Sequence, residues 1–457
     1  MDWLTVIPPA VAIAVVLWKK EVILALLLAI VSAEALLLLG DTSNSILLTP
    51  INTIERMIST ISSAGTSRIL LFSLLVGALL AFMRESGGVA AFVNKLVDSG
   101  IAKTKRRASG ITMLTGMAIF IESNLSVLTS GIMARGLFDK FKMSRARLAY
   151  IIDSTCAPVC ILILLNGWGA YVLGLISNYE LASNPLMVLW STIPYNIYAW
   201  LTLIIVAYTI ISDKLHGPMA IAEQKLERID GHIKVPPPSK SRYMLLPLGV
   251  MIVGMFGFMY YTGNGQLSEG SGSKSVLYAT FLACVVGFAL LVISKKSNTQ
   301  NTFKLGFSGM AELLPLVAIV MLSIALGNSL KELGTGLFVS GLVGTYLPVI
   351  FVVPALFIAG AIMSFTTGTS WGTFAILIPI GMPLVTSLGI PPELVLAAIL
   401  GGGIFGDHCS PISDTTAVAS LAAGVDLLTH VKTQLPYALF TGAVTIVAYI
   451  GLSILLI

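Results

Sequence analysis

Residues Gly401–Thr416 read GGGIFGDHCSPISDTT and lie inside an otherwise apolar segment, residues 394–423. The stretch holds four glycines, one proline, two carboxylates and four hydroxyl groups. Glycine and proline interrupt helical hydrogen bonding, and lipid supplies no partner for the backbone groups that are freed. The stretch therefore predicts a broken membrane helix whose break is buried in protein or lines a wet cavity. An ionisable residue at such a depth indicates a functional site.

The composition of the chain supports a membrane location. Of its 457 residues, 56% are hydrophobic and 11% are charged, whereas soluble proteins carry roughly a quarter of charged residues. The net charge is +5, but the basic residues cluster in short loops between apolar runs, which indicates membrane topology and excludes a nucleic-acid partner. We therefore predict an all-α polytopic membrane protein whose surroundings are lipid.

Apolar runs near the ~20 residues that span a bilayer predict about ten transmembrane helices. Two further apolar segments, about 109–138 and about 348–388, have polar centres at Glu122-Ser123-Asn124 and at Thr366–Ser370. The first lies between two basic clusters, so the chain is expected to enter and leave on one side. We predict that both segments are re-entrant hairpins. The crossings are predicted at 3–18, 22–40, 69–83, 148–176, 186–212, 243–261, 276–294, 313–326, 394–423 and 435–457.

Two of these crossings are predicted to be broken helices, about 148–176 and about 394–423. The break in the first is expected at Asp153–Pro158, and the break in the second at Gly401–Thr416. Both halves of the chain follow the same order of span, short amphipathic piece, hairpin, broken helix and final span. The pattern predicts a first repeat over 1–212, a cytoplasmic linker over 213–242 and a second repeat over 243–457.

The charge distribution predicts the orientation of the chain. When Lys19 and Lys20 are placed in the cytoplasm and successive loops alternate between the two sides, 23 of the 27 Lys and Arg residues lie on the cytoplasmic side. The exceptions are Arg56, Arg68, Lys274 and Lys331. This places both termini outside the cytoplasm, in a multi-pass protein of the inner (plasma) membrane. The odd number of crossings in each half then gives the repeats inverted topology. Inverted repeats with broken helices near the midplane are typical of secondary transporters.

Asp407 and Asp414 are the strongest candidates for a binding site. Carboxylate oxygens beside Ser and Thr hydroxyls and unwound carbonyls suit Na⁺ or a proton better than a soft metal. Asp153 stands at the matching position in the first half, near Asn166. Alternatively, Asp407 or Asp414 caps the restarted helix, or Asp153 pairs with a buried base, although no Lys or Arg lies in the broken spans.

The hairpin centres offer further candidates. Glu122 and Asn124 can either cap a half-helix or contact substrate. The run Thr366–Ser370, which includes Thr367, Thr369 and Ser370, can contact substrate or form a simple polar turn. Asn166 is assigned to the same group of candidate substrate contacts.

Enzymatic interpretations fit the sequence poorly. Asp407, His408 and Ser410 have the residue types of a hydrolase triad, but near neighbours do not align as nucleophile, base and orienting group. Asp407, His408 and Cys409 rarely reach one tetrahedral metal ion as consecutive residues. No phosphate-binding GxxxxGK[ST] motif is present. We therefore expect no enzyme activity and no cofactor, with His408 as a pH-sensitive neighbour of the site.

Three segments resemble the NhaC family of Na⁺/H⁺ antiporters, within the wider ion-transporter superfamily. They are GDHCSPISDTT (Gly406–Thr416), TTGTSWGTF (Thr366–Phe374) and DKFKMSRARLAYIIDSTCAPV (Asp139–Val159). The resemblance extends over nearly the whole chain and implies a homodimer. It also implies a site of ion and substrate contacts at Asp153, Thr367, Ser370, Asp407, Ser410, Asp414 and Thr415. One departure is Glu122-Ser123-Asn124, where many family members have an acidic–aromatic pair before the Asn.

Two transport functions follow from these features. The first is Na⁺/H⁺ antiport, with Na⁺ and H⁺ as the transported ions, ion-binding residues Asp153, Asp407, Ser410, Asp414 and Thr415, and Na⁺ held at Asp407 and Asp414. The alternative is Na⁺- or H⁺-coupled transport of a small organic solute such as an amino acid, because the family also includes such carriers. A membrane scaffold or receptor would give no reason for paired carboxylates at two symmetric breaks.

Overall fold

The computed structural model describes every residue except 1, 41–44, 98–102, 121–122, 165, 178, 180, 182–183, 227–236 and 267–268. Over the described residues the chain is helical and contains no strand. The helices of the first half are α1 Ile7–Lys19, α2 Val22–Gly40, α3 Thr49–Ser62, α4 Ala64–Glu85, α5 Gly88–Val97, α6 Lys105–Ala118, α7 Ser123–Lys140, α8 Arg145–Leu162, α9 Gly167–Ile176, α10 Pro185–Ser191 and α11 Ile197–Ser212.

The second half begins after the linker, which contains a short helix of its own. The remaining helices are α12 Pro218–Lys225, α13 Arg242–Thr262, α14 Gly272–Ile293, α15 Thr299–Glu332, α16 Thr335–Tyr346, α17 Val352–Thr367, α18 Ser370–Leu388, α19 Pro392–Cys409, α20 Asp414–Ala423 and α21 Leu427–Leu456.

The prediction of an all-α polytopic membrane protein is confirmed. Within the described part of the chain, eight helices are long and apolar enough to cross a membrane. The number rises to eleven if three pairs of helices, each bent by more than 40° at a short break, are counted as single spans. The predicted count of about ten lies between these numbers. The inverted relation between the halves remains a prediction.

Two of the bent pairs are the predicted broken helices. The angle between α8 and α9 is 49°, and the angle between α19 and α20 is 48°. The first break is displaced from its predicted position at Asp153–Pro158, whereas the second lies at the end of the predicted stretch Gly401–Thr416. α8 runs unbroken through Asp153–Pro158 and ends at Leu162, and α19 runs unbroken through its glycines to Cys409. The actual breaks lie at residues 163–166 and 410–413.

Helix α8 stays intact because it is surrounded by protein. All of its residues are buried, and its polar side chains find partners on other helices, as described below. Its backbone groups therefore have no need of water, and Pro158 is accommodated inside the helix.

The glycines of α19 serve close packing instead of interrupting the helix. A methyl group on Gly402 would lie 2.3 Å from the Phe357 carbonyl oxygen, and one on Gly406 would lie 2.4 Å from the Ala361 carbonyl oxygen. Small residues four apart are the usual means by which membrane helices bring their backbones together. The backbone of α19 therefore lies directly against α17.

Both predicted hairpin segments form helical pairs with their polar centres at the turn. α17 and α18 are separated only by Gly368 and Thr369, and α6 and α7 are separated by residues 119–122. Gly368 adopts a φ of +70°, which ends α17 in a left-handed turn that glycine tolerates best. Ile119, directly after α6, and Gly368, directly after α17, are both buried.

Two helices are longer than the apolar pattern predicts. α15 covers Thr299–Glu332 where a crossing was expected at 313–326, and α21 begins at Leu427 where one was expected at 435. Polar caps explain both extensions, since the side chains of Asn298 and Asp426 accept hydrogen bonds from the first turns of α15 and α21.

The linker packs against the first half. Arg147 of α8 forms ion pairs with Asp213 at 2.8 Å and with Glu223 of α12 at 3.4 Å. Glu223 also accepts a hydrogen bond from the Ser144 backbone N–H at 2.9 Å. The described part of the predicted 213–242 linker is therefore attached to the start of α8.

Candidate functional site

The break between α19 and α20 is organised by side-chain caps. Ser413 is the N-cap of α20, and its hydroxyl oxygen accepts a hydrogen bond from the Thr416 N–H at 3.4 Å. Asp414 is the first helical residue, and one of its carboxylate oxygens accepts a bond from the Thr415 N–H at 2.8 Å. The capping role considered for Asp414 thus belongs to Ser413, and Asp414 is held beside the positive end of α20.

Asp407 lies in the last turn of α19 and is 1% exposed. Its Oδ2 accepts a hydrogen bond from the Ser370 N–H, at the start of α18, at 3.2 Å. Its Oδ1 is buried and has no hydrogen-bond partner. A buried carboxylate oxygen without a partner is costly unless a cation or a proton occupies the place in front of it.

Asp414 is the second carboxylate at this break and lies directly after it, at the start of α20. Its side chain is exposed, and its charge lies within electrostatic reach of the Asp407 carboxylate. The Asn124 side chain, at the start of α7, lies beside the Asp414 carboxylate. Helix α7 of the first hairpin segment therefore packs against α20, and the role of Asn124 in the site remains a prediction. Glu122 lies outside the described residues.

The tip of the second hairpin covers the same break. The Ser410 hydroxyl donates a hydrogen bond to the Phe365 carbonyl at 2.7 Å, and a methyl group on Gly368 would lie 2.4 Å from the Ile412 carbonyl oxygen. Thr367 accepts a bond from the Thr369 N–H at 3.4 Å. The structure thus brings Thr367, Thr369, Ser370 and Ser410 together with Asp407.

The first half has a corresponding junction at Asn166. This residue caps α9 by accepting a hydrogen bond from the Gly169 N–H at 3.0 Å. Its Nδ2 lies 2.8 Å from the Phe120 carbonyl oxygen at the end of the first hairpin, and also contacts two carbonyl oxygens at the end of α8. Its side-chain amide is therefore fully used by the backbone, so we leave Asn166 out of the ligand set proposed below.

Asp153 lies at the centre of the contacts between the halves. Its side chain is fully buried, and its Oδ2 accepts hydrogen bonds from Gln434 at 2.7 Å and from Thr416 at 3.4 Å. The Nε2 of His430 lies 3.2 Å from the same oxygen. The Oδ1 of Asp153 has no partner. The buried base considered as an alternative partner of Asp153 is thus a histidine of α21, which lies outside the broken spans.

Asp153 and Asp407 are connected through the backbone at the end of α19. The Thr416 hydroxyl lies 3.2 Å from the Asp407 carbonyl oxygen and 3.4 Å from Asp153 Oδ2, so these two acceptors share its single hydrogen. Gln434 donates to the His408 carbonyl at 3.1 Å. One helix of the first half, α8, and four helices of the second half, α18 to α21, therefore meet around these two carboxylates.

Sequence reasoning missed His430, Gln434 and Thr416 as members of the site. The first two are four residues apart and so share a face of α21. Because α21 was predicted to begin at residue 435, both were assigned to a loop. The expected neighbour His408 is buried, and its Nδ1 lies 3.0 Å from the Tyr198 hydroxyl.

The donor set is made of hard oxygen atoms. Among the described residues, no three His, Cys, Asp or Glu side chains converge as they do around a transition metal. Carboxylates, hydroxyls and carbonyls are instead the ligands that alkali ions accept. Buried carboxylates at the breaks of membrane helices are the type of site found in secondary transporters.

Comparison with known proteins assigns the chain to a family. Residues 159–454 match the model of the Na⁺/H⁺ antiporter family, and the chain belongs to that family. The resemblance noted from the sequence segments is thereby confirmed.

Two relatives illustrate the range of this similarity. An uncharacterised protein of Haemophilus influenzae is 30% identical over 98% of this chain and 90% of its own length. The malate-2H⁺/Na⁺-lactate antiporter of Bacillus subtilis is 36% identical over 34% of this chain and 32% of its own length.

A solved structure shares the fold. The YdaH transporter of Alcanivorax borkumensis superimposes with a TM-score of 0.64, covering 94% of this chain and 97% of that protein. The sequence identity is 14%, so the likeness concerns the fold alone.

Proposed function

We propose that this protein exchanges Na⁺ for H⁺ across the inner membrane, and that Asp407 and Asp414 hold the transported ions in alternation. The observation that carries the proposal is the unpartnered Oδ1 of the buried Asp407. Within the described residues no Lys or Arg pairs with this carboxylate. A sodium ion or a proton would supply the missing compensation.

The surrounding groups support an ion site at this position. Asp407 accepts an N–H from the first turn of α18, and Asp414 accepts one from the first turn of α20. Helix N-termini stabilise negative charge, so both carboxylates can remain ionised when they bind a cation. We propose the hydroxyls of Ser370, Ser410 and Thr415 as neutral ligands, and the buried Ser370 hydroxyl has no hydrogen-bond partner. Membership of the Na⁺/H⁺ antiporter family agrees with these ions.

Exchange follows from competition at one site. Two neighbouring carboxylates repel each other when both are ionised, and either a proton or Na⁺ relieves that repulsion. If the site can switch between facing the cytoplasm and facing the exterior only while Na⁺ or a proton is bound, inward movement of one ion is coupled to outward movement of the other. The exposed Asp414 offers an entrance to the buried Asp407.

The decisive experiment replaces Asp407 by Asn. Purified D407N in proteoliposomes should lose Na⁺-dependent proton flux, while its amount and melting temperature stay near those of the wild type. The matched control is D426N, because Asp426 caps α21 at the surface and Asn caps helices as well. Normal proton flux in D407N would refute the site.

The proposal extends to several features of the whole protein. We propose a carrier without enzyme activity or cofactor. Small ions pass between its two halves, and it acts as a homodimer in lipid. We also propose that the two halves are inverted repeats with both termini outside the cytoplasm. Cysteine accessibility in intact cells would test this orientation.

A second candidate is coupled transport of a small organic solute. One observation favours it: part of the chain is similar to the malate-2H⁺/Na⁺-lactate antiporter of Bacillus subtilis. Thr367, Thr369 and Asn124, at or beside the hairpin tips, would then contact the solute. Counterflow in proteoliposomes with a panel of organic and amino acids, with and without Na⁺, would separate the two candidates.

A further inference from the structure

We propose that Gln434 is a positioning residue of the exchange site, which aims the Asp153 carboxylate at the break between α19 and α20. The inference rests on the proposed function of that site. It assigns a role to the polar first turns of α21, a helix that otherwise exposes large apolar side chains such as Phe440 and Val447.

The contacts of Gln434 use its whole side-chain amide. The residue is 1% exposed, and its Nε2 donates to Asp153 Oδ2 at 2.7 Å and to the His408 carbonyl at 3.1 Å. Its Oε1 accepts a hydrogen bond from the Ser154 hydroxyl at 3.3 Å. A single side chain of α21 thus ties two adjacent residues of α8 to the end of α19.

The chemistry at this position calls for an amide. Both groups facing Nε2 are acceptors, so the residue between them must donate two hydrogen bonds at once. A Glu side chain of the same length has only acceptors when ionised. A Lys would donate but would add a charge beside Asp153. Glutamine joins the two acceptors while leaving the net charge of the site unchanged.

Gln434 is also the closest of the three donors to Asp153. The other two lie 3.2 Å and 3.4 Å from the same oxygen, which is at the long end of hydrogen-bond distances. Because all three donors bind Oδ2, the direction of the unpartnered Oδ1 is set mainly by the shortest bond. His408 is the residue directly after Asp407. The Gln434 amide, which binds the His408 carbonyl, therefore fixes the Asp153 carboxylate relative to Asp407, the proposed ion ligand.

Replacement of Gln434 by Met tests the role, because Met has a similar length and donates no hydrogen bond. The control is T433V, since the buried Thr433 hydroxyl bonds only to carbonyls of its own helix, Thr429 and His430. Na⁺/H⁺ exchange is measured in proteoliposomes against Na⁺ concentration, per amount of folded protein.

The expected result is a maximal rate that falls about tenfold or more in Q434M, as loss of a hydrogen bond to a charged group predicts. The KM for Na⁺ should change by less than roughly threefold, because Asp407 and Asp414 are untouched. T433V should retain the wild-type rate. A wild-type rate in Q434M, or an equal loss in T433V, would overturn the proposal.

A second measurement tests the contact without transport. Melting temperatures are compared for the wild type, Q434M, D153N and the double variant. If Gln434 acts through Asp153, Q434M should lower the melting temperature by several degrees in the wild type and by less than about half as much in D153N. Equal shifts in both backgrounds would refute the inference. Absence of exchange in the wild type would refute the proposed function, and this cycle would still decide whether Gln434 holds Asp153.

Discussion

Asn166 and Ser410 make the same contact in the two halves of the chain. The Asn166 Nδ2 lies 2.8 Å from the carbonyl oxygen of Phe120, and the Ser410 hydroxyl lies 2.7 Å from that of Phe365. In each case the residue at the break of a helix holds the end of a hairpin. The two junctions differ in strength, since Asn166 has further contacts to the backbone.

Replacing Asn166 by Ala should therefore destabilise the protein more than replacing Ser410 by Ala. N166A removes a helix cap and leaves buried carbonyls without a donor, so we expect a loss of about 2–4 kcal/mol. S410A removes the bond to Phe365 and a long one, 3.3 Å, from the Ile412 N–H, and should cost about 1–2 kcal/mol. Thermal unfolding of the purified variants measures the difference. Equal losses would show that the further contacts of Asn166 contribute nothing.

The glycines of α19 give a prediction with an internal control. G402A places a methyl group 2.3 Å from the Phe357 carbonyl oxygen, whereas the methyl group of G401A meets its nearest atom, in Tyr198, at 3.5 Å. We expect G402A to cost about 2 kcal/mol or more through overpacking. G401A should be neutral or stabilising by up to about 1 kcal/mol, because Ala favours helix. Similar melting temperatures for both variants would contradict direct backbone contact.

A third prediction concerns Arg145, which connects the start of α8 to the end of α20. Its guanidinium forms two hydrogen bonds with Asp139, at 2.7 Å and 3.1 Å, and donates to the Ala423 carbonyl at 2.8 Å. R145A removes the ion pair with the half-buried Asp139 and the hydrogen bond to the Ala423 carbonyl, and should cost about 2 kcal/mol. R145K keeps the charge but loses the fork geometry, and we expect an intermediate melting temperature. A fully stable R145K would mean that charge alone holds this junction.

Much of the architecture could be predicted because its causes are local in the sequence. Apolar length predicts the spans, and polar residues at the centre of an apolar segment, such as Thr367 to Ser370, predict the hairpin turns. Asp153 and Asp407 stand out because charge is rare at that depth. Each of these inferences needs only neighbouring residues.

The exact breaks and the partners of Asp153 could not be predicted, because they depend on contacts between distant segments. Asp153 and Pro158 look disruptive in sequence, but other helices bury and satisfy that stretch. The same holds for Gly402, whose role becomes visible only when α17 lies against it. His430 and Gln434 resemble loop residues until α21 is extended to Leu427.

The contact of Gly402 with Phe357 has a consequence for how a cargo could move. With no side chain between them, the two backbones interlock, and neither helix can slide along the other without collision. In the transport cycle proposed above, the tip of the second hairpin and Asp407 would therefore move as one rigid unit. The displacement would take place where that unit packs less closely against the rest of the protein.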